Sequence, residues 1–167
     1  MQNLSIGNTR KKHFLSLMMA TAASTMLLGS CEKEITQGIA GTVTERFGDW
    51  MPPASGGERP YATEIYIFHA FSTSDLDTTP AYWNGFPGFP ISCLNRQPVA
   101  VASSDKDGRF QAALEPGSYS VFYRDDPGDE ACVLYPASWG GYGELGWVTV
   151  DKNNVSNIDI IVSHCVY

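Results

Sequence analysis

The sequence predicts an all-β protein, a sandwich of seven short strands, and three observations lead to this expectation. Beyond Ile35, apolar residues do not keep the 3.6-residue spacing of an amphipathic helix. Turn-forming pairs such as Asp107-Gly108 and Pro116-Gly117 interrupt the chain at short intervals. The runs between them are rich in β-branched and aromatic residues, which favour strands.

The predicted strands span residues 38–47, 63–71, 98–104, 109–114, 118–124, 146–150 and 155–162. Seven short strands are typical of a β-sandwich. In the middle of the chain, Asp107-Gly108 supplies the positive φ of a tight turn, and Pro116-Gly117 makes the next turn. We therefore expect two consecutive β-hairpins between residues 98 and 124.

Several of these segments resemble the carboxypeptidase regulatory-like family. The shared motifs are Asp-Lys-Asp-Gly-Arg-Phe at 105–110, Leu-Glu-Pro-Gly-Ser-Tyr at 114–119, Gly-Thr-Val at 41–43, and Val-Thr-Val at 148–150 before Ile-Asp-Ile at 158–160. The resemblance covers about residues 38–162. It implies a seven-stranded, transthyretin-like (prealbumin-like) Greek-key sandwich, similar also to starch-binding-type domains. These are scaffold motifs, so they imply a fold and no catalytic residue.

The first thirty residues have the parts of a bacterial lipoprotein signal peptide. Basic residues at 10–12 precede an apolar run of about 15 residues, which is short of the roughly 20 that span a bilayer as a helix. Leu28-Gly29-Ser30-Cys31 then resembles the lipobox, whose thiol receives diacylglycerol before the preceding peptide is removed. We expect a helical signal peptide at 1–30, a lipidated Cys31 and tether at 31–37, and one domain at 38–167.

The predicted anchor indicates a membrane location. Several acyl chains, such as palmitate, together hold a protein stably on a bilayer. Glu32-Lys33-Glu34 resembles the surface-export tags of Bacteroidetes-type lipoproteins. The expected location is therefore the bacterial outer membrane, on either its periplasmic face or the cell surface.

Charge argues against a nucleic-acid partner. Processing removes three of the eleven basic residues and none of the eighteen acidic ones, so the mature chain of 137 residues carries a formal charge of −10. Such a surface repels phosphate backbones. The same length suits one domain with a single core.

Three cysteines remain once Cys31 is lipidated, namely Cys93, Cys132 and Cys165. In an oxidising compartment they form at most one disulfide. If every connection reverses the chain, Cys132 and Cys165 lie at one end of the sandwich, and we expect these two to pair. The sequence alone leaves the pairing among the three open.

Aromatic residues in two long connections and one later loop are the candidate ligand-binding residues. The connections 48–62 and 72–97 are long for a compact domain, and such loops are usually functional or disordered. Aromatic faces in loops are suited to stacking on sugars or apolar ligands, although several could instead cap the open ends of the sandwich. The candidates are Trp50, Tyr82, Trp83, Trp139 and Tyr142; alternating strands would place Trp50, Trp139 and Tyr142 away from the membrane.

No catalytic residue, metal ligand or cofactor is expected. The motifs of serine hydrolases, zinc proteases and phosphate loops are missing from the sequence. Only His69 and His164 remain after processing, and the loop at 105–116 has Pro116 where a calcium loop needs glutamate. The acids Asp125, Asp126, Asp129 and Glu130 fit a solvated loop better than a glycosidase pair.

These features favour a lipid-anchored, non-enzymatic binding or assembly module of the cell envelope, with a glycan or a neighbouring envelope protein as partner. One alternative is a hydrolase, or its accessory subunit, that acts on polysaccharide or peptide. A second alternative is a structural adhesin or fimbria-like subunit.

Overall fold

The computed structural model describes residues 34–49, 55–76, 81–83, 86–125, 133–138 and 145–166, apart from a few side chains. Over these residues the protein is all-β, as predicted, with eleven strands in two sheets and two single-turn 3-10 helices. The strands are β1 (Gly38–Asp49), β2 (Gly57–Pro60), β3 (Glu64–His69), β4 (Ala81–Trp83), β5 (Phe86–Pro90), β6 (Ala100–Ser103), β7 (Arg109–Ala113), β8 (Gly117–Arg124), β9 (Val133–Pro136), β10 (Trp147–Val150) and β11 (Val155–Val166). The 3-10 helices are Thr73–Asp75 and Ile91–Cys93.

The smaller sheet has β1 at its centre. β11 pairs with one side of β1 in parallel, while β2 and β7 share the other side in antiparallel pairing. The larger sheet runs β4-β5-β9-β8-β3-β6, and β10 pairs with β8 beyond β9. Thus β9 and β10 lie along the same edge of β8.

All seven predicted strands are present, but the expected number of strands was wrong. The four additional strands, β2, β4, β5 and β9, lie inside segments that we expected to be connections. Each is short, with three to five residues. β2 and β5 contain both Gly and Pro, β9 ends in Pro and β4 has only three residues, so their sequences give little strand signal and pairing with other strands defines them.

The two predicted hairpins are also corrected. The turn at Asp105–Gly108 forms, since Gly108 has a φ of 75° and its N–H bonds to the Asp105 carbonyl. However, β6 and β8 both pair with β3, whereas β7 pairs with β1 in the other sheet. Both turns therefore carry the chain from one sheet to the other, which local turn chemistry does not reveal.

The register of the strands defines two ends of the sandwich. β1 and β11 start together, at Gly38 and Val155, and finish together. We call the end where β1 begins the tether end, and the end where β1 and β11 finish the far end. The predicted strands alternate in direction between these ends, as expected from the chain reversals.

The main core lies between the two sheets. Its side chains come from alternate positions of β1, β3, β7, β8 and β11, as the period of two along a strand requires. The fully buried members include Ile39, Val43, Ile65, Ile67, Val121, Ile160 and Val162. This apolar layer joins the sheets into a sandwich.

A second core covers the outer face of the larger sheet. Phe122 of β8 is its centre, with the rings of Phe68, Phe71 and Phe89 within 6.2 Å of it, centroid to centroid. Leu94, which follows the second 3-10 helix, is buried in the same cluster. The long connection 72–97, expected to be a ligand-binding or disordered loop, therefore supplies side chains that cover this sheet.

Candidate functional site

The far end of the sandwich is closed by charged side chains. The inward positions of β1 run Ile39, Gly41, Val43 and then Glu45, and those of β11 end at His164. Because alternate residues of a strand face the same side, these two polar residues point between the sheets where the apolar core stops. Glu45 is only 5% exposed.

His164 bridges two carboxylates at this end. Its Nδ1 lies 2.7 Å from Oε1 of Glu45, and its Nε2 lies 2.7 Å from Oδ1 of Asp125. The Nε of Arg59 donates to the other oxygen of Glu45 at 2.5 Å. The Tyr61 hydroxyl donates to the backbone carbonyl of Asp125, and its ring packs edge-on against His164.

This geometry indicates a protonated histidine. An imidazole can donate from both nitrogens only as the imidazolium ion. Burial lowers the pKa of His164, but the hydrogen bonds and charges of Glu45 and Asp125 outweigh this effect and raise the pKa above 6.5. The hydrogen bond from Arg59 lowers the pKa of Glu45 below 4.5, against the opposing effect of burial.

The charges of this network balance. The carboxylates of Glu45 and Asp125 form ion pairs with the imidazolium of His164, and Glu45 also pairs with the guanidinium of Arg59. These pairs join β1, β2, β11 and the end of β8. Asp125, one of the acids considered for a glycosidase pair, accepts a hydrogen bond from His164 here. The arrangement is suited to closing the end of the sandwich.

The tether end, in contrast, contains an open groove of about 670 Å³ between the two sheets. Its walls come from the tether, the last residue of β3, the segment before β6, the end of β7 and the start of β8. The lining residues are Glu34, Ile35, Thr36, Gln37, His69, Val99, Ala113, Leu114, Glu115 and Tyr119.

Two stacked rings form one wall of this groove. His69 and Tyr119 lie opposite each other in the β3–β8 pair, with ring centroids 5.8 Å apart and planes 21° from parallel. Tyr119 is buried and donates its hydroxyl to the Glu115 carbonyl at 2.7 Å. His69 is exposed, so one face of its ring is open to the groove while the ring packs on the buried Tyr119.

The tether is fastened beside the groove. The Gln37 side chain donates to the Leu114 carbonyl at 2.8 Å and accepts from the backbone N–H of Asn153 at 2.9 Å. The N–H of Ile35 donates to the Gln111 side chain at 3.3 Å. These bonds hold residues 35–37 against β7 and against the turn before β11.

The groove combines an aromatic surface with acceptor groups. Its charged residues are Glu34 and Glu115, both exposed, and its lining includes no lysine or arginine. Hydroxyl groups and amides are therefore better suited to it than phosphate or carboxylate groups. Val99, which is 42% exposed, adds an apolar contact.

The candidate aromatic side chains all lie outside the described residues. Tyr82 and Trp83 form two of the three residues of β4, but their side chains lie outside the description, as do Trp50, Trp139 and Tyr142 entirely. Trp139 and Tyr142 belong to residues 139–144, which lie outside the described residues, so their placement at the far end stays a prediction.

The predictions about the cysteines concern side chains outside the described residues. Cys31 and Cys132 fall outside the described residues, and only the backbone is described for Cys93 and Cys165. The backbone of Cys165 pairs with Gly48 at the far end, and β9, which begins at Val133 next to Cys132, starts beside Arg124 at the same end. The Cys132–Cys165 disulfide therefore stays a prediction.

Neither histidine is in a group that could hold a metal, within the part of the chain that the structure describes. His69 and His164 lie at opposite ends of the sandwich. At the Asp105 turn, the carboxylate accepts hydrogen bonds from the N–H groups of Asp107 and Arg109, both at 2.8 Å. This carboxylate stabilises the turn.

Sequence reasoning missed the groove because its residues are distant along the chain. A partial signal exists in β3, where Ile65, Ile67 and His69 alternate, so that a polar residue ends an inward-facing row. The pairing of His69 with Tyr119 depends on strand register. The sequence pattern did not predict that register.

No family model, curated protein or solved structure matches this chain. Among the residues that the structure describes, no helix is long and apolar enough to cross a bilayer.

Proposed function

We propose that this chain is a lipid-anchored, non-enzymatic binding module of the bacterial cell envelope, and that the tether-end groove binds a neutral glycan. The observation that supports the ligand site most strongly is the exposed His69 ring stacked on a buried Tyr119 inside an open groove. At the far end, charged groups occupy the corresponding space. The tether end thus has open space for a ligand, whereas charged side chains fill the far end.

The proposed anchor rests on the sequence Leu-Gly-Ser-Cys at 28–31 after a short apolar run. Lipidation of Cys31 would leave two residues, Glu32 and Lys33, between the anchor and Glu34, the first residue of the groove wall. The three Cα–Cα steps from Cys31 to Glu34 span at most about 11 Å. The groove would then face the outer-membrane surface, in either leaflet, and meet glycans close to it.

The proposed ligand class rests on the chemistry of the lining. Sugar rings present apolar C–H faces that pack on aromatic rings, and their hydroxyls donate to carboxylates such as those of Glu34 and Glu115. A mature charge of −10 disfavours anionic polymers and nucleic acid. Neutral oligosaccharide therefore fits better than phosphorylated or acidic glycan.

We also propose that the sandwich is a transthyretin-like Greek-key domain of the carboxypeptidase regulatory-like type. The motifs at 105–110 and 114–119 support this assignment. The four additional short strands would be additions to that scaffold.

Binding of neutral oligosaccharides from envelope polysaccharide to the full chain in detergent, measured by calorimetry, tests the proposed function. We expect His69→Ala to weaken binding about two- to tenfold, since loss of an aromatic contact costs about 0.5–1.5 kcal/mol. The matched control is His164→Ala at the far end, which should bind as the unchanged chain does. Absence of binding across neutral oligosaccharides, or equal loss in both variants, would contradict the proposal.

A further inference from the structure

The outer edge of β11 is a second candidate interaction surface. β11 is the last strand of the smaller sheet, twelve residues long, and among the described strands it pairs only with β1. An unpaired edge offers backbone N–H and C=O groups to another strand. The length of β11 makes this surface larger than the edge of four-residue β6 in the other sheet.

The backbone direction of β11 can be assigned residue by residue. The carbonyl of Ile158 points at Gly41 of β1, since a Cβ on that glycine would lie 1.9 Å from its oxygen. Asn154, just before β11, likewise directs its carbonyl to the N–H of Gly38. Successive residues of a strand direct their polar groups to opposite sides, so the odd-numbered residues of β11 direct theirs outward.

The sequence of β11 contains few of the residues that protect an edge against pairing. Natural edges are blocked by lysine, proline or bulges, and residues 155–166 contain no Lys, Arg, Pro or Gly. Ile161 is 45% exposed and belongs to the outward set. The charged residue of that set is Asp159, whose Oδ1 accepts from the Thr42 hydroxyl at 2.6 Å.

We infer that β11 pairs with β11 of a second copy of this chain, antiparallel and centred on Ile161. This register places the two Ile161 side chains opposite each other and each Asp159 opposite a Ser163 hydroxyl of the other copy. A register centred on Asp159 would instead oppose two carboxylates, which is unfavourable. Two-fold symmetry of this kind gives a closed dimer with identical surfaces on both subunits.

The net charge of the chain determines how this dimer should respond to salt. Two copies with a mature charge of −10 repel each other at long range, while the pairing edge itself brings no like charges face to face. Salt screens such repulsion. Dimerisation should therefore strengthen as salt concentration rises, whereas a basic partner on the same edge would bind more weakly in salt.

Sedimentation of the full chain in detergent, with and without Ile161→Lys, tests the pairing. We expect a dimer for the unchanged chain and a monomer for the variant, because a charge on the edge opposes pairing. Val101→Lys is the matched control, since Val101 is 51% exposed and lies on the edge strand β6; it should leave the dimer intact. A monomer at every protein and salt concentration, or dimers that survive Ile161→Lys, would overturn the inference.

Single cysteine variants test the register. Directly opposed residues in an antiparallel pair have Cα atoms about 5.5 Å apart, within the range of a disulfide. Ile161→Cys should therefore form a covalent dimer under mild oxidation. Asp159→Cys should not, because its two copies would lie about 14 Å apart along the strands; equal cross-linking of both would overturn the register. Neither outcome depends on the ligand of the groove.

Discussion

At the scale of single residues, the polar ends of otherwise apolar rows decide the character of each end of the sandwich. Glu45 and His164 end inward-facing rows at the far end, and hydrogen bonds with Arg59 and Asp125 compensate their burial. His69 ends such a row at the tether end, where it remains exposed on Tyr119. The alternation in the sequence could reveal these positions, but it could not reveal which residues would meet.

The His164 network predicts a specific dependence of stability on pH. The raised pKa of His164 gives stability that is complete below its ordinary value of 6.5 and is lost as pH rises through the folded value. The lowered pKa of Glu45 gives stability that is complete above 4.5 and is lost as pH falls. The contribution of the network to the free energy of unfolding should therefore be greatest between pH 4.5 and 6.5.

Urea unfolding of His164→Asn across this pH range measures that contribution. Loss of the histidine leaves Glu45 and Asp125 with fewer partners, so we expect destabilisation of roughly 1–3 kcal/mol within the window. The difference from the unchanged chain should shrink as pH rises above it. His69→Asn, at an exposed site at the opposite end of the sandwich, is the control and should change stability by less than about 0.5 kcal/mol. A constant difference for His164→Asn at every pH would contradict the network.

At the scale of elements, the contact between β1 and β11 depends on the lack of a side chain at Gly41. A Cβ there would lie 1.9 Å from the carbonyl oxygen of Ile158. Gly41→Ala must therefore push the two strands apart, and we expect a loss of about 1–3 kcal/mol in the free energy of unfolding. Chemical denaturation measures it.

Gly117→Ala is the control for this prediction. A Cβ at Gly117 would find its nearest neighbour, the Tyr119 hydroxyl, at 3.5 Å, which is an ordinary contact. Its effect should stay within about 0.5 kcal/mol. Equal stability of the two glycine variants would argue against the parallel β1–β11 pair.

The second core makes a separate prediction about the connection 72–97. Leu94 is 1% exposed among the phenylalanines on the outer face of the larger sheet. Leu94→Ala should destabilise the whole domain by about 2–5 kcal/mol, measured by thermal or urea unfolding. Val99→Ala, at an exposed site a few residues away, should change stability by less than about 0.5 kcal/mol. A neutral Leu94→Ala would mean that this connection does not contribute to the core.

The elements also indicate what the sequence could and could not predict. β3 and β8 contain alternating apolar rows and were predicted with nearly correct bounds. β11 contains a β-branched row and was predicted from its correct start, but it continues four residues beyond the predicted end at 162. Strand β5 contains Pro and Gly and β4 has only three residues, so pairing defines both of them: β4 pairs with β5, and β5 pairs with β9. The turns at Gly108 and Pro116 were predicted, but the sheet that each following strand joins depends on long-range packing.

At the scale of the whole molecule, the sandwich presents two candidate interaction surfaces and follows a predicted lipid anchor. The tether-end groove is proposed for a ligand near the membrane, and the edge of β11 for a second copy. The groove draws residues from four separated stretches of the chain, so sequence patterns did not reveal it. The anchor, in contrast, is a local sequence feature at residues 28–31 and was predicted directly.

The proposed location of the protein depends on Cys31, and the intact mass of the chain isolated from bacterial membranes tests it most directly. If Cys31 is lipidated, the mass equals that of residues 31–167 plus acyl chains, and the Cys31→Ser variant is unacylated and retains residues 1–30. Thiol counting on both proteins would also show whether Cys132 and Cys165 are paired. An unmodified mass for the unchanged chain would contradict the lipid anchor and, with it, the placement of the groove at the membrane surface.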